Sequence, residues 1–123
     1  MEDFCRKARL VARGHMTKAP ATLTYASVVY RKTVRIALTI VALNDIDIWA
    51  ADVLNAYITV PCREKIWTTL GAEWGDDCGR KAIAVHALYG LKSSGAAFRA
   101  HLSGFMQEMG YKSCLADPDL WLI

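Results

Sequence analysis

The stretch TVRIALTIVALNDIDIWAAD, residues 33–52, holds two hydrophobic rhythms in succession, and the change between them sets the fold class. In its first half Val34, Ala37, Leu38 and Val41 recur at i, i+3, i+4 and i+7, the spacing of one helix face. Thr33 is placed to cap that helix and Asn44 to end it. Ile36, Ile40 and Leu43 widen the apolar face, so the helix is expected to be buried on more than one side. In the second half Ile46, Ile48 and Ala50 alternate with Asp47, Trp49 and Ala51, the period of a strand over residues 45–52. Strict alternation puts the Asp52 carboxylate on the face of Ile46 and Ile48. A carboxylate there is costly unless the strand ends at it or a cation meets it.

Outward from this stretch the same two periods recur. Residues 5–12 mix basic and apolar side chains as a candidate strand, and residues 14–24, with Gly14 and Pro20, read as a loop. Residues 66–70 and 81–88 are two further strand candidates, joined by a loop containing Gly71, Gly75, Asp76, Asp77 and Gly79. A turn centred on Gly90 leads to Ser94, which is placed to cap a helix reaching Met109. The stripe of that helix is Phe98, Leu102, Phe105 and Met109, with Gly110 just past its end. Asp117-Pro118-Asp119 signals a turn, and an apolar run opens at Leu120. The order β, α, β, β, β, α, β predicts an α+β fold, with a mostly antiparallel sheet packed on two helices.

The chain has 123 residues, 54% of them hydrophobic, and a mean hydropathy of +0.17, enough to build one core. Charge is uneven. Residues 1–35 carry eight basic and two acidic groups, net +6, and residues 36–123 carry seven basic and ten acidic groups, net −3. Such asymmetry suits an arm that meets phosphates beside a body that holds cations, and equally a solvated start to an ordinary domain. Cys5, Cys62, Cys78 and Cys114 form no C-x-x-C pair, which argues against a zinc site. Glu2 and Asp3 replace a basic signal-peptide start, and no apolar run nears the roughly 18–20 residues that span a bilayer. An intracellular, reduced chain with no membrane contact is the expectation.

Four stretches, taken in order, carry a resemblance. They are Lys7-Ala8-Arg9-Leu10-Val11-Ala12-Arg13-Gly14; Ser27-Val28-Val29 with Thr33-Val34-Arg35; Ala51-Asp52-Val53-Leu54-Asn55-Ala56-Tyr57; and Leu88-Tyr89-Gly90-Leu91-Lys92. Together they resemble the reverse transcriptase domain of Ty1/copia retrotransposons across nearly the whole chain, residues 1–123. Two departures stand out. Ser93-Ser94-Gly95-Ala96-Ala97 replaces the family's Gln-Ala-Pro-Arg run, and His15-Met16-Thr17 replaces its Phe-x-Gln pattern.

The resemblance implies a fingers and palm fragment with an incomplete palm, about 1–44 fingers-like and about 45–123 a mix of palm and fingers. In the family, RNA-directed DNA polymerase activity runs through two Mg²⁺ ions roughly 3.5–4 Å apart, held by clustered carboxylates. Asp52 matches the first of those carboxylates, and Val53 would offer its backbone carbonyl. The other two come from a Tyr-x-Asp-Asp hairpin that is absent from the sequence, so the 123 residues alone are expected to be inactive. Lys7 and Arg9 match the positions that meet the incoming triphosphate, or else form a solvated basic strand. Asn55 and Ala56 would line the nucleotide pocket. Tyr57 matches the aromatic that lies under the sugar, or is a core aromatic. Tyr89, Gly90 and Lys92 match the loop against nucleotide and template, or form a plain turn. Primer–template, deoxynucleotide and the RNase H and integrase regions of a Pol polyprotein are the implied partners, in cytoplasmic virus-like particles or the nucleus. The alternative is a catalytically dead remnant that binds nucleic acid weakly. Asp45-x-Asp47, Asp76-Asp77 and Asp117-x-Asp119 are read as structural or solvated, and His101 as structural.

Overall fold

The computed structural model describes residues 10–21 and 24–123. Two α-helices, α1 (Arg31–Asn44) and α2 (Ser94–Glu108), are accompanied by 3-10 turns at Gly14–Met16, Ala56–Thr59 and Ala72–Asp77. Four short strands, β1 (Trp67–Thr69), β2 (Lys81–Ile83), β3 (Lys112–Ser113) and β4 (Trp121–Leu122), make two separate antiparallel pairs, β1 with β2 and β3 with β4. The α+β class stands. The single sheet packed on two helices does not form, because each strand pair closes locally across its own loop.

The strand expected over residues 45–52 is absent. Asp45 turns into the left-handed region at φ 52° to end α1, and among the described residues no neighbouring strand offers the following residues a ladder. The 81–88 candidate is borne out in its first half as β2. Beyond β2 the hairpin continues irregularly, through Ala84 N–H to Ile66 O at 2.9 Å, Cys62 N–H to Val85 O at 2.8 Å and Ala87 N–H to Val60 O at 2.9 Å. Trp67 faces Ile83, yet Pro61 faces His86. The first strand therefore advances six residues where the second advances three, and residues 63–65 form a bulge. Val60 and Ala87, bonded across this end of the hairpin, are buried together with Leu91. A fully buried Val contributes about 1.5–3 kcal/mol over an exposed one.

Helix α2 begins one residue earlier than the sequence suggests. Ser93 is the N-cap residue and Ser94 the first helical one, its buried hydroxyl donating to Leu88 O at 2.7 Å. At the other end Gly110, at φ +90°, lets Tyr111 N–H reach Met106 O at 3.0 Å and Gly110 N–H reach Gln107 O at 2.9 Å, a Schellman closure. Of the expected stripe only Phe98 is half-buried, while Leu102, Phe105 and Met109 face outward. The reason is that α2 packs chiefly on the short Ala56–Thr59 turn, which covers only its first half.

Helix α1 is capped from a distance. Tyr30, not Thr33, is its N-cap residue, and the Asp117 carboxylate accepts Tyr30 N–H at 2.8 Å. The Thr33 side chain bonds to the same carboxylate. No residue of α1 is buried, which overturns the expectation of a helix covered on more than one side. Among the described residues no sheet lies against it, since the 45–52 strand that would have built one does not form.

Candidate functional site

Two of the motif stretches meet. Val11 forms a parallel bridge with Tyr89, and Ala12 N–H donates to Tyr89 O at 2.7 Å. Gly14, buried, lies against Gly90, which sits at φ +89°. A Cβ on Gly14 would run into the carbonyl oxygen of Gly90, and one on Gly90 into the carbonyl oxygen of Ala12. Glycine is required at both places for backbone to approach backbone. The Lys92 ammonium then reaches Thr17 O at 3.2 Å and ties the turn to the loop after Gly14.

A third motif residue joins this junction. The Tyr57 ring lies 4.7 Å from that of Tyr89, tilted by 51°, and 6.2 Å from Phe98, edge to face. Tyr57 and Tyr89 are both half-buried, so the geometry gives Tyr57 the packing role left open beside the sugar-contacting one. Asn55 adopts the left-handed region at φ 55° and starts the Ala56–Thr59 turn that aims Tyr57 inward.

Asp52 stands in irregular backbone just ahead of this turn, exposed, as is Val53. Its carboxylate has no hydrogen bond or ion pair among the described residues. Nor do any three His, Cys, Asp or Glu side chains gather there as a group able to hold a metal ion. Two divalent cations need several oxygen ligands in one place, and the described residues bring no second carboxylate to Asp52. Lys7 and Arg9 lie outside the described residues.

The structure adds a surface that the motif comparison overlooked. The bulge at residues 63–65 turns Glu64 toward α2, where its carboxylate accepts the Ser93 hydroxyl, while Cys62 Sγ donates to Glu64 O at 3.3 Å. Arg63 and Lys65 on either side are exposed. With Lys18 and Trp67 they line a groove of about 470 Å³. Trp67, 63% exposed, also borders a second groove of about 490 Å³ that contains Lys81. Lys18, Arg63, Lys65 and Lys81 thus line two grooves that share Trp67, and among the described residues the one carboxylate in their lining, Glu64, is held by Ser93. The signal was present in Arg63-Glu64-Lys65-Ile66-Trp67, where cations and an aromatic interleave, the pattern of single-strand binding.

The two carboxylates of the 117–119 turn have structural partners. Asp117 is buried, and the Thr33 side-chain bond holds its carboxyl below the ordinary carboxylate value, helped by the N–H groups of Tyr30 and Asp119 and opposed by desolvation. Asp119 pairs with Arg99 of α2 at 2.7 Å. Asp77 pairs with Arg80, and His101 stacks edge to face on Phe105 at 4.7 Å.

No family model, no curated protein and no solved structure matches this chain. Among the described residues no helix is long and apolar enough to cross a membrane.

Proposed function

We propose that this chain is a fingers and palm piece of a Ty1/copia-type reverse transcriptase, which by itself binds nucleic acid weakly and extends no primer. What carries the proposal is the junction of motif residues far apart in sequence. Val11, Ala12 and Gly14 dock on Tyr89 and Gly90 backbone to backbone, and Tyr57 packs on Tyr89. Segments that resemble one family in linear order thus lie against one another in the fold, which supports the reading. The groove around Trp67 supplies what a nucleic-acid ligand needs, cations for phosphate and an aromatic face for a base. In this reading the two Mg²⁺ ions, the deoxynucleotide and the primer–template belong to a longer parent protein in which Asp52 gains its carboxylate partners. Asp52 alone, exposed and unaccompanied, favours a chain without catalysis of its own.

The test uses the 123-residue chain and a labelled RNA–DNA primer–template. Binding is expected to be weak and to fall steeply as salt rises. No primer extension is expected with Mg²⁺ or Mn²⁺, for the native chain or for Asp52→Ala. Absent or salt-insensitive binding would remove the nucleic-acid function, and synthesis that survives Asp52→Ala would remove the site assignment. Sequencing the transcript that encodes the chain adds a test of ancestry. A downstream Tyr-x-Asp-Asp in the same frame is expected of a reverse transcriptase parent.

A further inference from the structure

Helix α1 carries an apolar stripe that nothing among the described residues covers. Ile36, Ile40 and Leu43 fall at i, i+4 and i+7 and are 61%, 51% and 79% exposed. Trp49, five residues beyond the helix, is 92% exposed.

The charges at the two ends of the stripe indicate what covers it. Arg31, Lys32 and Arg35 crowd the first two turns of α1, whose first turn holds no acidic residue of its own and is met only by the Asp117 carboxylate among the described residues. Cations there oppose the helix dipole and gain nothing from it. Asp45 and Asp47 follow the other end. All five are exposed, and none makes an ion pair among the described residues. A helix basic at its start, apolar along one face and acidic past its end is complementary to itself when reversed.

We propose that α1 is the contact surface of a homodimer, in which two copies lie antiparallel across a two-fold axis near Ile40. In that register Ile36 of one copy faces Leu43 of the other, Arg35 lies opposite Asp45, and Lys32 lies near Asp47. A two-fold interface requires this self-complementary arrangement, in which each contact occurs twice. Burial of the stripe supplies the affinity, and the end charges set the direction. The proposal draws on the exposed face and its flanking charges, not on the polymerase ancestry, and a chain that stays monomeric would leave that face to the rest of the longer parent proposed above.

Sedimentation equilibrium of the 123-residue chain at several concentrations tests it, with circular dichroism confirming that each variant keeps its helices. A species of twice the 13.6 kDa chain mass is expected. Ile40→Glu should leave monomer. Lys32→Glu or Asp47→Lys alone should weaken dimerisation roughly five- to tenfold, because each lost surface pair counts twice. The two together should restore it. A chain that stays monomeric, a dimer indifferent to Ile40→Glu, open-ended aggregates, or a double charge exchange that fails to restore association would each overturn the proposal.

Discussion

The Asp117 carboxylate receives the backbone N–H of Tyr30 at 2.8 Å across 87 positions of sequence. This contact closes the chain, because it seats the C-terminal turn on the first turn of α1. The same carboxylate bonds the Thr33 side chain and, through its other oxygen, Asp119 N–H at 3.2 Å. Asp119 in turn pairs with Arg99, so the turn at 117–119 links α1 to α2. A carboxylate at a helix start satisfies orphan N–H groups and suits the dipole. Here it also offsets part of the crowding of Arg31, Lys32 and Arg35.

Replacing Asp117 should therefore loosen α1 specifically. Asp117→Ala removes every acceptor, and Asp117→Asn removes the charge while keeping one, so alanine should lower the melting temperature more. The pH dependence follows from the depressed carboxyl. A group whose folded value lies below its ordinary 3.8 stabilises the fold fully above that pH and loses the contribution as pH falls through the folded value. Urea melts at pH 7 and at progressively lower pH should show the native chain losing stability below about pH 4. The alanine variant should lose less over the same range. Equal pH slopes for both would refute the assignment.

Gly14→Ala and Gly90→Ala should both destabilise the motif junction. At Gly90 the added Cβ meets Ala12 O and must also tolerate φ +89°, a cost of about 1–3 kcal/mol. At Gly14 the obstacle is the Gly90 carbonyl, and overpacking of that kind costs about 1–3 kcal/mol. Thermal melts should register a loss of several degrees for each. The two clashes fall at one junction between the same two segments, so the double variant should lose less than the sum. Full additivity would mean that the two segments do not touch in solution.

How much of this was legible beforehand differs by element. The helices were readable because their periods are local, and so was the Schellman end at Gly110, which needs only glycine at the right offset. Residues 45–52 failed because alternation gives a strand its faces but not its partner. Asp47 and Trp49 alternate with isoleucines beside no sheet, and the left-handed Asp45 turns the backbone first. The capping of α1 was misplaced on Thr33 because its true acceptor lies at Asp117, beyond any local rule. At the site, Gly90 as a turn centre was visible, but its contact with Gly14 was not, since pairing across the chain leaves no periodic trace. The bulge at 63–65 was hidden for a similar reason. It exists only as a mismatch of register between two strands, and it decides that Arg63 and Lys65 face the groove while Glu64 turns to Ser93.

Tyr57 and Tyr89 are expected to couple. Their rings are 4.7 Å apart, and aromatic pairs of this geometry contribute about 0.5–1.5 kcal/mol beyond the area they bury. A double-mutant cycle with Tyr57→Leu and Tyr89→Leu, read by chemical denaturation, should return an interaction energy in that range. Tyr57→Phe should cost little, because no hydrogen bond of its hydroxyl is found among the described residues. A coupling near zero would show that Tyr57 points away from the turn and is free for another role.

The groove around Trp67 makes separable predictions for charge and stacking. Lys65→Glu should weaken binding to every oligonucleotide and flatten the dependence of log affinity on log salt by about one to two units, since one phosphate contact is lost and one repulsion added. Trp67→Ala should leave that slope nearly unchanged while costing about 1–3 kcal/mol against single strands, the value of one stacked base. It should matter little for blunt duplex, whose bases are already stacked. Lys112→Glu, on β3 and lining neither groove, makes the matched control for net charge. Fluorescence anisotropy with labelled single-stranded and duplex oligonucleotides at three salt concentrations measures all of these. If Lys112→Glu weakens binding as much as Lys65→Glu, the affinity comes from overall charge and the groove has no special part. If Trp67→Ala affects single strands and duplex alike, Trp67 supports the fold of the hairpin rather than stacking on a base.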